Sequence, residues 1–127
     1  MNNVEDIREK RAIDCFTRIF YGSYQKLDSN DIDYKIYDQD GTLIAYAEVA
    51  IRYKSMYDAY PLPVNARKFV KLIDKRLNPV VIWACEDGII YAKAKSLSGS
   101  VLYNKDDDEF FMYFDKNKSV KYIRYER

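Results

Sequence analysis

The sequence contains no histidine and only two cysteines among its 127 residues. Without imidazole, Ser-His-Asp hydrolases, histidine-based nucleases, HExxH metalloproteases and His-ligated zinc sites are all excluded. Cys15 and Cys85 are too few for a thiolate zinc site and read as reduced core residues, which points to a cytosolic compartment. No apolar run approaches the roughly 18 residues needed to cross a bilayer, and the first residues, Met1-Asn-Asn-Val-Glu-Asp, lack a basic-then-apolar signal, so no membrane partner is expected. Net charge is only +1, so no global field selects a polyanion. There is no internal repeat, and low complexity is confined to Asp106-Asp-Asp-Glu109. What survives these exclusions is carboxylate chemistry around a hard cation, magnesium or manganese.

The stretch from Asp33 to Ala50 carries that chemistry. A strand beginning near Ile32, a turn at Asp38-Gln-Asp-Gly41 and a second strand from Thr42 form a hairpin. On the second strand Leu43, Ala45, Ala47, Val49 and Ile51 alternate with Ile44, Tyr46, Glu48, Ala50 and Arg52, so Glu48, position 50 and Arg52 share a face. Asp33 and Glu48 then lie on neighbouring strands, placed to share one cation. A phosphodiesterase built this way also needs a protein cation to orient water and offset developing charge.

Around the hairpin the pattern is that of a single α/β (α+β) domain spanning residues 1–127, with helices flanking a central mixed sheet. Val4, Ile7, Ile13, Phe16, Ile19 and Phe20 form the apolar stripe of a first helix ending near Gly22. A second helix spans 66–77, with Asn65 as its cap, Val64 and Phe69 as a hydrophobic staple, and Val70, Ile73 and Leu77 facing the core. The continuous apolar run Val80–Ala84 reads as a strand buried on both faces, and Glu86-Asp-Gly88 turns it into a strand over Ile89–Ala94. A loop over 96–109 leads to a C-terminal β-hairpin, Phe110–Phe114 and Val120–Tyr125, around Asp115-Lys-Asn-Lys118.

Charge is uneven. Helix 66–77 carries Arg67, Lys68, Lys71, Lys75 and Arg76 against Asp74 alone, and the C-terminal hairpin carries Lys116, Lys118, Lys121, Arg124 and Arg127 against Asp115 and Glu126. Both are candidate DNA-backbone contacts, with the 13 tyrosines as stacking surfaces. The unpaired edge of the hairpin is a candidate surface for self-assembly.

The Glu9-bearing first helix, Asp33, Ala47-Glu48-Val-Ala50-Ile-Arg52, Tyr60-Pro-Leu-Pro-Val-Asn-Ala-Arg-Lys68 and Pro79-Val-Val-Ile-Trp-Ala-Cys-Glu-Asp-Gly-Ile-Ile-Tyr91 together resemble the PD-(D/E)XK nuclease superfamily, in particular its small phage-encoded members, over residues 5–95. The resemblance implies an α-β-β-β-α-β restriction-endonuclease-like core, Asp33 and Glu48 as metal ligands, Glu9 as a further metal-site carboxylate, and magnesium or manganese as cofactor. Where that family has its lysine, two residues after the glutamate, this chain has Ala50. Lys68 on the second helix and Arg52 on the Glu48 face are the candidates to replace it. Lys54 lies further off, and Arg52 stays protonated, so it serves as a charge stabiliser and not as a base. Two functions follow: a catalytically degenerate phage accessory or structural module that binds DNA or protein, or an active magnesium-dependent DNA nuclease with a displaced cation. The implied location is the host cytoplasm or the virion.

Overall fold

The computed structural model describes residues 4–27, 33–74 and 77–126. Helix α1 (Val4–Arg18) has Glu5 and Asp6 in its first turn and Arg18 in its last, the polarity its dipole favours. Its buried residues are Ala12, Ile13, Phe16 and Thr17. The expected longer stripe does not form, because Val4, Ile7 and Ile19 are all exposed. Burial is set by the part of α1 that lies over the sheet, and apolar spacing extends beyond that part.

Strands β1 (Ser23–Lys26), β2 (Tyr34–Tyr37) and β3 (Leu43–Ile51) pair antiparallel in succession. The β2–β3 turn falls where the sequence predicts it. Asp38 exchanges backbone contacts with Thr42 and Gly41, its Oδ1 accepts from the Asp40 and Thr42 amides, and Gly41 takes φ 83°, which glycine adopts without steric cost. Ile32, the expected start of the first strand, lies outside the described residues.

Strand β4 (Leu62–Asn65) runs directly into α2 (Ala66–Ile73). Asn65 caps the helix, its side-chain oxygen accepting from the Arg67 and Lys68 amides, and Val64 and Phe69 are both buried in the same cluster, as a staple requires. The inward face is only in part the expected one: Ile73 packs against the core, but Phe69 and Leu72 are the buried residues and Val70 is exposed. The helix also stops short of Leu77; Lys75 and Arg76 lie outside the described residues.

Strands β5 (Pro79–Ala84) and β6 (Gly88–Lys93), a single 3-10 turn at Ala94–Ser96, and strands β7 (Gly99–Asn104), β8 (Glu109–Phe114) and β9 (Lys121–Arg124) complete the chain. The result is an α+β architecture: a mixed six-stranded sheet ordered β1-β2-β3-β5-β6-β9, parallel only between β3 and β5, and an antiparallel three-stranded sheet ordered β4-β8-β7. Every residue of β5 is buried, and its alternate side chains serve two cores. Val80, Ile82 and Ala84 join Ile13 and Phe16 of α1 on one face, while Val81 and Trp83 join Phe69, Leu72 and Phe114 on the other.

The expected C-terminal hairpin is not formed. β8 pairs with β4 and β7, whereas β9 pairs with β6 in the other sheet, so the segment between them crosses from one sheet to the other. Gly88 licenses the second pairing: a Cβ there would meet the Ile123 carbonyl oxygen at 2.2 Å. The stretch taken as a loop contains β7, whose pairing with β8 uses the same device at Gly99, where a Cβ would meet the Tyr113 carbonyl at 2.3 Å.

Candidate functional site

Two carboxylates and one ammonium converge on the face of β3 that looks toward α2. Asp33 immediately precedes β2; the register Tyr34↔Ala47, carried one step on, sets it level with Glu48. Its Oδ2 accepts from the Val49 amide at 2.9 Å. Glu48 is only 2% exposed and shares its face with Tyr46 and Ala50, which pack against the α2-side core. The Asn65 cap fixes where α2 begins. Lys68, third in the helix, thereby brings its Nζ to 3.4 Å from Glu48 Oε2. Glu48 Oε1 is buried and has no hydrogen-bond partner among the described residues.

Burial pushes the Glu48 carboxyl up to about 8, Asp33 pushing the same way and Lys68 opposing. Asp33 is also raised, chiefly by burial, with the Val49 N–H opposing and Glu9 adding to the rise. The two groups interact directly, so a proton taken up serves the pair. For Lys68, burial pulls the pKa down, but the Glu48 and Asp33 charges more than reverse this and the net shift is upward. Lys68 is therefore a protonated donor at neutral pH.

The other expected site residues lie around this trio. Glu9 sits beside it: its Oε1 accepts from the Tyr34 hydroxyl at 2.7 Å and from Lys26 Nζ at 3.0 Å. Its charge reaches Asp33, but its recorded hydrogen bonds go to Tyr34 and Lys26. Arg52 follows the end of β3, and its Nε donates to the Ala59 carbonyl at 2.8 Å, tying the strand's exit to the loop before β4. Lys54 lies in that loop, its carbonyl accepting from Glu86 N. The Val49 amide and the Tyr34–Lys26 brace of Glu9 went unread in the sequence. Alternation alone assigns Val49 to the opposite face and is silent about its backbone N–H.

The donor set suits a hard cation. Magnesium ordinarily takes one or two protein carboxylates and completes its shell with water and substrate oxygens. Here there are two, one of them with a buried, unpartnered oxygen. Among the described residues no group of three or more Asp, Glu, Cys or His side chains converges as a metal cage. A surface cavity of about 370 Å3 lies elsewhere, between α1 and residues 123–126, and includes neither Asp33 nor Glu48.

The basic surfaces are partly spent on internal pairs. Arg67 bridges to Glu109 at 2.9 Å, Arg124 to Asp87 at 3.4 Å, and Lys116 lies over the Tyr60 ring. Since β8 and β9 part, the C-terminal basic residues do not form one hairpin face. Among the described residues no helix is long and apolar enough to cross a membrane.

No family model matches the sequence, and neither a curated protein nor a solved structure matches it significantly.

Proposed function

We propose that Asp33, Glu48 and Lys68 form the centre of a divalent-cation-dependent DNA nuclease of the PD-(D/E)XK type, with the lysine supplied by α2 in place of position 50. The reading is carried by the 3.4 Å approach of Lys68 Nζ to Glu48 Oε2. It is supported by the order of elements, α1 and the antiparallel β1-β2-β3 before α2 and β5, which suits a restriction-endonuclease-like core with the short β4 added ahead of α2. Asp33 and Glu48 would hold magnesium or manganese, which when bound supplies Lewis acidity toward a phosphodiester.

The chain's own contribution is positioning and charge. The Val49 amide holds one Asp33 oxygen, leaving the other toward Glu48. Lys68, its side chain 39% exposed, faces solvent on one side and Glu48 on the other. It donates to a phosphate oxygen or to water and offsets the charge that builds on the phosphoryl group. Because its ammonium is held protonated, it is a donor and not the base.

Cleavage of supercoiled and linear DNA with magnesium or manganese tests this. The unaltered chain is expected to cut, with Asp33→Ala and Lys68→Ala each reducing the rate by about 100-fold or more. Absence of cutting by the unaltered chain overturns the reading.

One observation favours a second reading. Ala50 stands where the PD-(D/E)XK pattern has its lysine, and it is packed against the core. In that reading the fold is a degenerate phage accessory or structural module that binds DNA or protein, with Lys68 serving only to neutralise Glu48. It predicts DNA retention that weakens steeply with salt and no cleavage, even at high manganese.

A further inference from the structure

Among the described residues, the three-stranded sheet ends in a strand that nothing covers. From Gly99 to Tyr103 every residue of β7 is exposed, and Val101, Leu102 and Tyr103, with Phe110 across the ladder, are each more than half exposed. Among the described residues β7 is the sheet's outer strand, and its outward amides and carbonyls have no ladder partner there. Edge strands are commonly blunted by proline, an inward charge or a bulge. The segment Gly99-Ser-Val-Leu-Tyr-Asn104 has no proline and no charge, and its register with β8 runs unbroken from Gly99↔Phe114 to Asn104↔Glu109. Nor is the hairpin loosely made. Asn104 Oδ1 accepts from the Asp106 and Asp107 amides, the Tyr103 hydroxyl donates to Asp108, and the Tyr103 and Phe110 rings meet edge to face at 5.3 Å.

We propose that β7 is a homodimer interface: two copies pair their β7 strands antiparallel about a two-fold axis, extending two three-stranded sheets into one of six strands. The pairing satisfies the free backbone edge, and it brings exposed apolar side chains on both faces of the strand against their counterparts. Charge selects a second copy over an unrelated strand. Hydrogen-bonded and non-hydrogen-bonded pairs alternate along an antiparallel ladder, so a two-fold axis must pass through a residue opposite itself. The central candidates are Val101 and Leu102. Lys93 and Lys95 come shortly before β7 and Asp106, Asp107 and Asp108 follow it in the hairpin turn, so antiparallel pairing about either axis turns the basic approach to one strand toward the acidic turn that ends the other.

Sedimentation equilibrium on the full chain tests this, with far-UV circular dichroism to confirm folding of each variant. The unaltered chain is expected at twice its 15.1 kDa mass. Leu102→Lys, at an exposed position, is expected to be monomeric with an unchanged spectrum. Lys95→Glu is expected to raise the dissociation constant about tenfold, with Asp107→Lys added to it restoring the dimer. A chain that stays monomeric at about 100 μM overturns the proposal. So does a dimer that Leu102→Lys and Lys95→Glu both leave intact.

Discussion

Glu48 is the residue on which stability and function pull apart. Its carboxyl is buried beside Asp33, one oxygen has no partner, and a single half-exposed lysine opposes the charge. The folded-state pKa is raised, so between the ordinary carboxylate value near 4.5 and about 8 the native state binds more protons than the unfolded chain. Stability therefore falls as pH rises through that window and levels off above it. Urea melts at pH 5, 6.5 and 8 are expected to record this decline in metal-free protein. Glu48→Gln is expected to flatten it and to exceed the unaltered chain by on the order of 1–3 kcal/mol at pH 8, the gap closing toward pH 5. On the proposed nuclease reading the same substitution abolishes cleavage, since it removes a charged metal ligand. Magnesium is expected to raise the melting temperature of the unaltered chain at pH 8, and to leave Asp33→Ala unmoved.

At the scale of elements, α2 places the lysine. Asn65→Ala removes the cap that receives the Arg67 and Lys68 amides and is expected to cost about 1 kcal/mol by chemical denaturation. Leu72→Ala, at a fully buried position, is expected to cost about 2–5 kcal/mol, and Val70→Lys, at an exposed one, less than about 0.5. The cap, the staple and the Asp38–Gly41 turn were legible in the sequence because each rests on contacts between residues a few positions apart. The inward face of α2 was not. Val70 and Leu72 are equally apolar, and which of them is buried depends on how the helix is rolled against β8 and the sheet, a long-range matter. The terminal hairpin failed for a related reason. Residues 115–118 have turn composition, but the pairing of β9 was decided by Gly88, some thirty-five residues earlier, which reads locally as a turn residue only. Of the candidate site, the nearness of Asp33 and Glu48 followed from the hairpin and its alternation, whereas Lys68 was pointed to only by the resemblance. The engagements of Glu9 and Arg52 depended on Tyr34, Lys26 and Ala59, brought in by tertiary packing.

Across the whole molecule, the two sheets are fastened at one seam. Phe114 is fully buried, with its ring 5.3 Å from Phe69 and 6.1 Å from Trp83, and it pairs with Leu62 at the base of the smaller sheet. Phe114→Ala is expected to cost about 3–5 kcal/mol. Amide exchange should then quicken first in β7 and β8, whose exposed outer half has little else to hold it. The same seam carries the sole tryptophan of the chain. Trp83 is wholly buried, and its indole N–H donates at 2.8 Å to the Pro63 carbonyl, two residues before the cap that positions Lys68. Its fluorescence is thus a built-in optical gauge: a blue emission maximum reports a closed seam, and a red shift signals water reaching the joint on which the lysine's placement depends.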